Sequence, residues 1–135
     1  MNAVDTNILL YVHDPRDPVK QATATKLLAT EPNLTLVWQV ACEYIHASRK
    51  LTALGFSMQD AFKDVASFQR TWQTILPDWG AMGRAQTLLG RFSLSSWDAM
   101  LIAVCLESGV HRLYSEDFSG YPKIDSLEIV NPFLP

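Results

Sequence analysis

The sequence predicts an α/β fold, in which helices cover both faces of a mostly parallel central sheet of four to five strands. Short apolar segments of strand length alternate along the chain with longer segments of helical periodicity. The segment 99–106 is apolar without interruption, as expected for a helix that is buried on every side. Apolar residues make up 48% of the chain and charged residues 19%, which is the composition of a domain with a real core.

The chain begins with a predicted strand, a turn and two helices. Residues 3–4 form the strand, residues 5–7 the turn, and residues 8–12 the first helix. Pro18 suits the first turn of the second helix, because proline has no N–H to donate there. We expect this helix to extend through Thr30.

The middle of the chain repeats the alternation. Residues 34–37 are a predicted strand, and residues 39–51 are a predicted amphipathic helix. Ser57 and Asp60 have the spacing of a capping box, which predicts the start of another helix. Residues 74–76 form a possible third strand.

The last third contains two helices and two strands. Residues 81–90 predict a helix, and residues 96–108 predict an apolar helix that Gly109 ends. Residues 112–115 and 127–130 are the last two predicted strands. We therefore expect a single domain over residues 1–135.

Composition limits the function classes. The net charge is −3, so the chain has no global basic field for nucleic acid, and a phosphate ligand needs a local basic patch or a metal ion. Cys42 and Cys105 have no C-x-x-C spacing, and we expect both to be reduced packing thiols. We expect no signal peptide, no membrane span and a cytoplasmic location.

Four carboxylates occupy positions where a folding chain normally avoids charge; they are Asp5, Glu43, Asp98 and Asp117. Buried carboxylates that lie close together need protons or a cation to neutralise them. In an open α/β sheet, ligands bind beyond the carboxyl ends of the strands, where Asp5 and Asp117 are expected. The topology allows all four to converge there, which predicts a divalent metal site.

Asp98 also has a purely structural interpretation. It follows Ser95 by three residues, so it can be the acidic member of a capping box, as Asp60 can be with Ser57. The helix after Asp60 alternates apolar and polar residues, whereas the helix after Asp98 has no polar face for two turns. We therefore favour a functional role for Asp98, which does not exclude capping.

The other three acids have ordinary alternatives as well. Glu43 lies at the edge of an apolar helix face, a common place for glutamate. Asp5 can be a turn or N-cap residue. Asp117 follows Glu116, and either can be a plain surface acid, so a contribution of Glu116 to the site stays open.

Read with their flanks, these acids resemble those of a PIN-domain ribonuclease, and more closely those of a VapC-type toxin of a bacterial toxin–antitoxin pair. The matching segments are VDTNILLY at 4–11, EYI at 43–45, SWDAMLIA at 96–103, LYSEDF at 113–118 and IVNPF at 129–133. They span nearly the whole chain in the order expected of the family.

The resemblance implies a three-layer α/β/α PIN-like domain. It assigns catalysis and metal binding to four acids, which are Asp5, Glu43, Asp98 and Asp117. It assigns supporting roles to three neighbours: Thr6 and Ser115 match hydroxyl positions near the metal, and Asn7 matches a residue that supports the site.

The resemblance also implies endonucleolytic cleavage of RNA by a metal-activated water, with Mg²⁺ as the cofactor and Mn²⁺ as a substitute. It implies a cognate antitoxin protein and a homodimer. Hard oxygen ligands and the lack of a Cys/His ligand cluster favour Mg²⁺ over Zn²⁺. The histidines His13, His46 and His111 show no catalytic pairing, and Arg49, Lys50, Arg84 and Arg91 are candidate phosphate contacts.

Competing interpretations fit less well. A haloacid-dehalogenase-type phosphatase needs a second acid two residues after Asp5, where this chain has Asn7. Dinucleotide, P-loop and serine-hydrolase motifs do not occur in the sequence. The alternative that remains is a non-catalytic PIN-like module that binds RNA or protein, and such a module would keep its function in EDTA.

Overall fold

The computed structural model describes residues 1–135, in which strands and helices alternate for most of the chain. The strands are β1 (Asn2–Val4), β2 (Leu34–Val37), β3 (Gln73–Ile75), β4 (Arg112–Tyr114), β5 (Lys123–Ile124) and β6 (Leu127–Val130). The α-helices are α1 (Thr6–Tyr11), α2 (Pro18–Thr30), α3 (Trp38–Ala47), α4 (Met58–Thr71), α5 (Trp79–Arg91) and α6 (Ser96–Glu107). A 3₁₀ helix, Ser48–Leu54, continues α3.

One sheet contains all the strands in the order β3-β2-β1-β4-β6-β5. Every pairing is parallel except that of β5 with β6. The strand order reverses at β1, which pairs with β2 on one side and with β4 on the other, so the carboxyl ends of β1 and β4 flank a topological switch point. The predicted α/β/α fold with a mostly parallel sheet is confirmed.

The sheet has six strands, where the sequence predicts four or five. The additional strand is β5, which has only two residues and lies antiparallel at the edge. A two-residue strand is too short to show a hydrophobic period, so the pattern of the sequence does not reveal it.

Two predicted boundaries are wrong for local reasons. The turn predicted over residues 5–7 is replaced by the first residues of α1, because the Asp5 carboxylate caps the helix by accepting the N–H of Thr6 at 2.7 Å. The helix predicted over residues 39–51 is α-helical only to Ala47. It then tightens into the 3₁₀ helix, which ends at Gly55 with a φ of 90°.

Helix α6 lies at the centre of the core. Most of its residues are buried, including Ile102 and Cys105 at 0% exposure. Cys105 is therefore the packing thiol that the sequence predicts. The same prediction is wrong for Cys42, which is exposed on α3. None of the helices combines the length and the apolar character needed to cross a membrane.

Candidate functional site

Asp5 is the most buried acid of the switch point, with only 5% of its surface exposed. It directly follows β1, and its backbone N–H donates to the carbonyl of Tyr114 in β4 at 2.9 Å. One carboxylate oxygen accepts from the Thr6 N–H, and the other accepts from the Ser115 hydroxyl at 2.7 Å. Two strands and one helix N-terminus therefore fix the position of this carboxylate.

Glu43 reaches the same region from α3. The Thr6 hydroxyl donates to its Oε2 at 3.0 Å, and Gln39 Nε2 donates to its Oε1 at 3.2 Å. Gln39 also donates to the carbonyl of Trp97 at 3.0 Å, which joins the start of α3 to the start of α6. Thr6 is thus in contact with two of the predicted acids, through its backbone with Asp5 and through its side chain with Glu43.

Asp98 differs from Asp60 in its hydrogen bonds at the start of the helix. At the start of α4, Ser57 and Asp60 form the full reciprocal capping box. At the start of α6, the Ser95 hydroxyl accepts the N–H of Asp98 at 3.1 Å, but no return bond from the Ser95 N–H to the Asp98 carboxylate is present. The carboxylate of Asp98 is therefore not occupied by a capping box.

Asp117 follows β4 and is held by two of the predicted supporting residues. Asn7 Nδ2 donates to its Oδ2 at 2.9 Å, and the N–H of Asp117 donates to the Ser115 hydroxyl oxygen at 3.1 Å. Because Ser115 also donates to Asp5, this hydroxyl connects the two acids. Hydrogen bonds thus connect six of the seven residues that the sequence selected, and Asp98 is related to them only through the charges of Asp117 and Glu43.

Glu116, which the sequence left open, faces a different set of partners. It accepts from the Tyr11 hydroxyl at 2.7 Å and from the Lys20 ammonium at 2.8 Å. The Lys20 ammonium lies 5.3 Å from the centre of the Phe133 ring. Glu116 is thus neutralised by a cation of α2, whereas none of the salt bridges in the structure contains Asp5, Glu43, Asp98 or Asp117.

The four acids interact electrostatically. Burial raises the pKa of Asp5 to about 6; the hydrogen bonds from Ser115 and Thr6 oppose this shift, and the charges of Asp117 and Glu43 add to it. Burial also raises the pKa of Asp98, the Ser95 hydroxyl opposes that shift, and Asp117 and Glu43 again add to it. Burial is a larger cause than the mutual repulsion on which the sequence argument relied.

The carboxylates lie at one edge of the sheet, but they are not arranged as the ligands of a single metal ion. No three carboxylate, imidazole or thiolate side chains in the structure lie close enough together to hold one metal ion. All the donors at the site are oxygens, which suit a hard cation such as Mg²⁺. Asn7 Oδ1 is buried with no hydrogen-bond partner. Such an atom leaves an acceptor for a water molecule or a cation.

A groove of about 910 Å³ opens beside the acids. Its lining includes four of the selected residues, which are Thr6, Asn7, Glu43 and Asp117. It also includes two exposed tryptophans, Trp38 and Trp97, and three apolar side chains, Leu10, Met82 and Met100. The sequence analysis did not select Gln39 or the two tryptophans. Their only sequence signal is position, because each lies within five residues of a selected acid.

The predicted phosphate contacts divide into two groups. Lys50 lines the groove, whereas Arg49 is exposed and does not line it. Arg91 instead binds Asp125 at 2.8 Å, and Arg84 binds Glu107 at 3.2 Å. None of the three arginines lines the groove, so only Lys50 among the four residues is placed to contact a ligand there.

The family model of the PIN domain matches residues 3–125 of this sequence. The chain therefore belongs to the PIN-domain family, as the resemblance in its acidic segments predicts. No curated protein matches the sequence.

Solved structures support the same fold. The chain is similar to Mycobacterium tuberculosis VapC20, a sarcin–ricin-loop-cleaving toxin, with a TM-score of 0.71 and 20% identity over 93% of this chain and 98% of that one. It is similar to a toxin–antitoxin complex from Klebsiella pneumoniae, with a TM-score of 0.69 and 18% identity over 98% of both chains. VapBC2 from Rickettsia felis, bound to a DNA fragment of its promoter, gives a TM-score of 0.67 and 14% identity over 96% of this chain and 97% of that one.

Proposed function

We propose that this PIN-domain protein is a Mg²⁺-dependent endoribonuclease, with Mn²⁺ as a substitute cofactor, and that it is the toxin of a toxin–antitoxin pair. The observation that supports the proposal is the placement of four acids at one edge of the sheet: hydrogen bonds through Thr6 and Ser115 link Asp5, Glu43 and Asp117, and the charges of Asp117 and Glu43 act on Asp98. They come from four separate segments, and none of them has a cationic side chain as a partner. A fold kept only for stability gains nothing from this arrangement.

The residues present fit a hard divalent cation. We assign Asp5 and Asp98 as the principal ligands, and Glu43 and Asp117 as the residues that complete the site. The buried acceptor Asn7 Oδ1 suits a water molecule of such an ion. When bound, Mg²⁺ would supply an activated water and stabilise the charge that develops on phosphate oxygens.

The protein itself supplies orientation. Thr6 fixes Asp5 and Glu43 through two different groups, so the first residue of α1 sets the distance between two acids. Asn7 and Ser115 fix Asp117 in the same way. In the absence of a cation, the Asp5 carboxyl holds a proton up to about pH 6, as its raised pKa requires. These hydrogen bonds restrict the positions of Asp5, Glu43 and Asp117, which reduces the entropy lost when they are arranged around an ion.

The toxin role is supported by the identity of similar structures. Several of these are complexes of a toxin with its antitoxin, from Klebsiella pneumoniae, Rickettsia felis and Haemophilus influenzae among others. We therefore propose an antitoxin partner that masks the acids, a homodimeric assembly and action in the cytoplasm, where RNA is available. Co-purification with the product of a small adjacent reading frame tests the partner directly.

RNA cleavage by the purified protein tests the enzymatic proposal. We expect cleavage with Mg²⁺ or Mn²⁺ and none in EDTA, with 5′-phosphate and 3′-hydroxyl ends. Asp5→Asn and Asp98→Asn should each abolish cleavage, because each removes a ligand charge. Asp60→Asn is the matched control, since Asp60 is also a first-turn acid but caps α4, and it should cut at the wild-type rate. If the Asp98→Asn variant cleaved RNA, the assignment of Asp98 as a metal ligand would be wrong.

A non-catalytic binding module is the second candidate. It is favoured by the spacing of the acids, since no three side chains are close enough to hold one ion as they stand. Such a module would bind RNA or protein equally well in EDTA, and Asp98→Asn would leave its binding unchanged. The nuclease proposal requires the opposite result in both measurements.

A further inference from the structure

Three helices at the carboxyl edge of the sheet begin with an exposed indole. Trp38 opens α3 and is 57% exposed, Trp79 opens α5 and is 86% exposed, and Trp97 is the second residue of α6 and is 62% exposed. A folded protein gains from burying so large an apolar side chain. Exposed indoles at one edge of the sheet therefore indicate a surface that binds a ligand or a partner.

Two of the three indoles belong to the groove beside the acids. Trp38 and Trp97 line it together with Glu43 and Asp117, whereas Trp79 does not. Gln39 links one indole position to the site, because its Nε2 donates both to Glu43 and to the backbone carbonyl of Trp97. Gln39 therefore holds the start of α6, which carries Trp97, close to Glu43.

The groove also contains an imidazole and an ammonium side chain. His46 lies on α3 and Lys50 on the 3₁₀ helix that follows it, and both line the groove. Acids, flat aromatic faces and a lysine thus lie along one surface. This combination matches the metal-bound phosphate, the bases and the neighbouring phosphates of one nucleic-acid strand.

We propose that Trp38 and Trp97 form a stacking subsite for unpaired nucleobases on either side of the phosphate that is cut. The inference rests on the proposed ribonuclease function. The net charge of −3 gives little general attraction for RNA, so stacking must supply much of the binding that the metal does not. Paired bases already stack on their neighbours, and the subsite therefore selects single-stranded segments over duplex.

A protein occupant is the competing explanation, because Leu10, Met82 and Met100 give the groove an apolar part. Glu43 and Asp117 line the groove together with the indoles, and an apolar peptide gains nothing from these carboxylates. The observations therefore favour RNA, and association with a second copy of the chain is treated as an outcome of the test.

The test uses Trp38→Leu and Trp97→Leu, with Trp79→Leu as the matched control. A random pool of single-stranded RNA first identifies a sequence that the wild-type protein cuts with Mg²⁺ or Mn²⁺. That RNA is then made with an abasic nucleotide at each position beside the cut. We expect kcat/KM on the intact RNA to fall roughly 5- to 150-fold for each groove variant, the range of losses measured for base–aromatic stacking. Trp79→Leu should change it by less than about twofold.

The effects on kcat/KM of removing a base from the RNA and of replacing a tryptophan must also be non-additive. On the RNA that lacks the stacked base, the wild-type protein should already be slowed, and the corresponding Trp→Leu variant should cause no further loss. Trp97→Phe keeps an aromatic face and should recover most of the activity. Because both indoles are largely exposed, the variants should unfold at the wild-type temperature.

Several results would overturn the subsite. They are groove variants that cut at the wild-type rate, equal losses on intact and abasic RNA, an equal loss in Trp79→Leu, and a groove variant that dissociates a wild-type dimer in sedimentation. A wild-type protein that cuts no RNA with either metal would instead remove the ribonuclease function, and the subsite with it. The two failures are therefore distinguishable.

Discussion

At the scale of single residues, Asp5 shows that burying a carboxylate in the candidate site has an electrostatic cost. The residue is 5% exposed and its carboxylate accepts two hydrogen bonds, yet its pKa is raised to about 6 because burial outweighs them. An aspartate whose only role is to cap α1 could remain in solvent with an ordinary pKa. The buried charge therefore destabilises the metal-free protein near neutral pH.

Asp5→Asn should stabilise the metal-free protein at neutral and higher pH. The pKa of Asp5 is about 6 in the folded state, against 3.8 for an unperturbed aspartate, so stability is lost as the pH rises from about 4 through about 6. The variant escapes this loss and should be more stable by about 1–3 kcal/mol near pH 8, with the difference vanishing near pH 4. Urea unfolding in EDTA across this pH range measures it. A constant difference at all pH values would contradict the electrostatic origin.

Glu116 and Asp117 are adjacent in sequence but should behave differently towards metal. Glu116 accepts hydrogen bonds from Lys20 and Tyr11, whereas Asp117 is hydrogen-bonded to Asn7 and to the Ser115 hydroxyl. We expect Asp117→Asn to weaken Mn²⁺ binding about tenfold or more, and Glu116→Gln to change it by less than about twofold. Calorimetric titration of both variants with Mn²⁺ decides this. Equal losses would show that Glu116 contributes to the site.

At the scale of elements, the starts of α4 and α6 look alike in sequence and differ in structure. Both have serine as the N-cap and aspartate three residues later, but only Asp60 returns its carboxylate to the N-cap N–H. The helices that follow also differ, because α4 is half exposed and α6 is mostly buried. Asp60 caps its own helix, whereas the Asp98 carboxylate does not bond to the N-cap N–H and is influenced by the charges of Asp117 and Glu43.

This contrast predicts opposite effects on stability. Ser57→Ala and Ser95→Ala should each cost about 1 kcal/mol, since each removes a side-chain cap. Asp60→Ala should also destabilise the protein, but Asp98→Ala should leave the metal-free protein unchanged or more stable, because it removes a charge that burial and the neighbouring acids both disfavour. Thermal unfolding of the four variants in EDTA checks this. Destabilisation by Asp98→Ala would restore its capping role.

Sequence patterns predicted the elements that have a strong period or a clear cap. Helix α2 and the strands β2 and β6 have the predicted boundaries, since Pro18 and short apolar runs define them. The start of α1 was wrong because a turn and a capped helix use the same residues, and β5 was missed because two residues show no period.

The candidate site was predictable as a set of acids but not as a groove. Spacing and apolar flanks selected Asp5 and Asp98, whereas the exposure of Trp38 and Trp97 depends on how α3 and α6 pack. Tertiary arrangement also decided the partner of Glu116, because Lys20 lies 96 residues away in the chain.

At the scale of the whole molecule, the sheet order makes the acids meet. Strand β1 lies between β2 and β4, so the segments after these three strands all reach one edge, and α6 brings Asp98 to the same place. Repulsion at this edge opposes folding, and the core of 30 buried apolar residues compensates for it. A cation that neutralises the edge should therefore stabilise the entire fold.

Mg²⁺ or Mn²⁺ should raise the free energy of unfolding in proportion to the logarithm of its concentration. The expected gain is about 2.7 kcal/mol at a metal concentration about one hundred times Kd, because only the folded chain assembles the acids. The gain should shrink below about pH 6, where Asp5 must first lose its proton. Asp98→Asn should lose most of the stabilisation, and Asp60→Asn should keep it, since Asp60 belongs to the cap of α4. Equal stabilisation of both variants would mean that the ion binds somewhere other than the switch point.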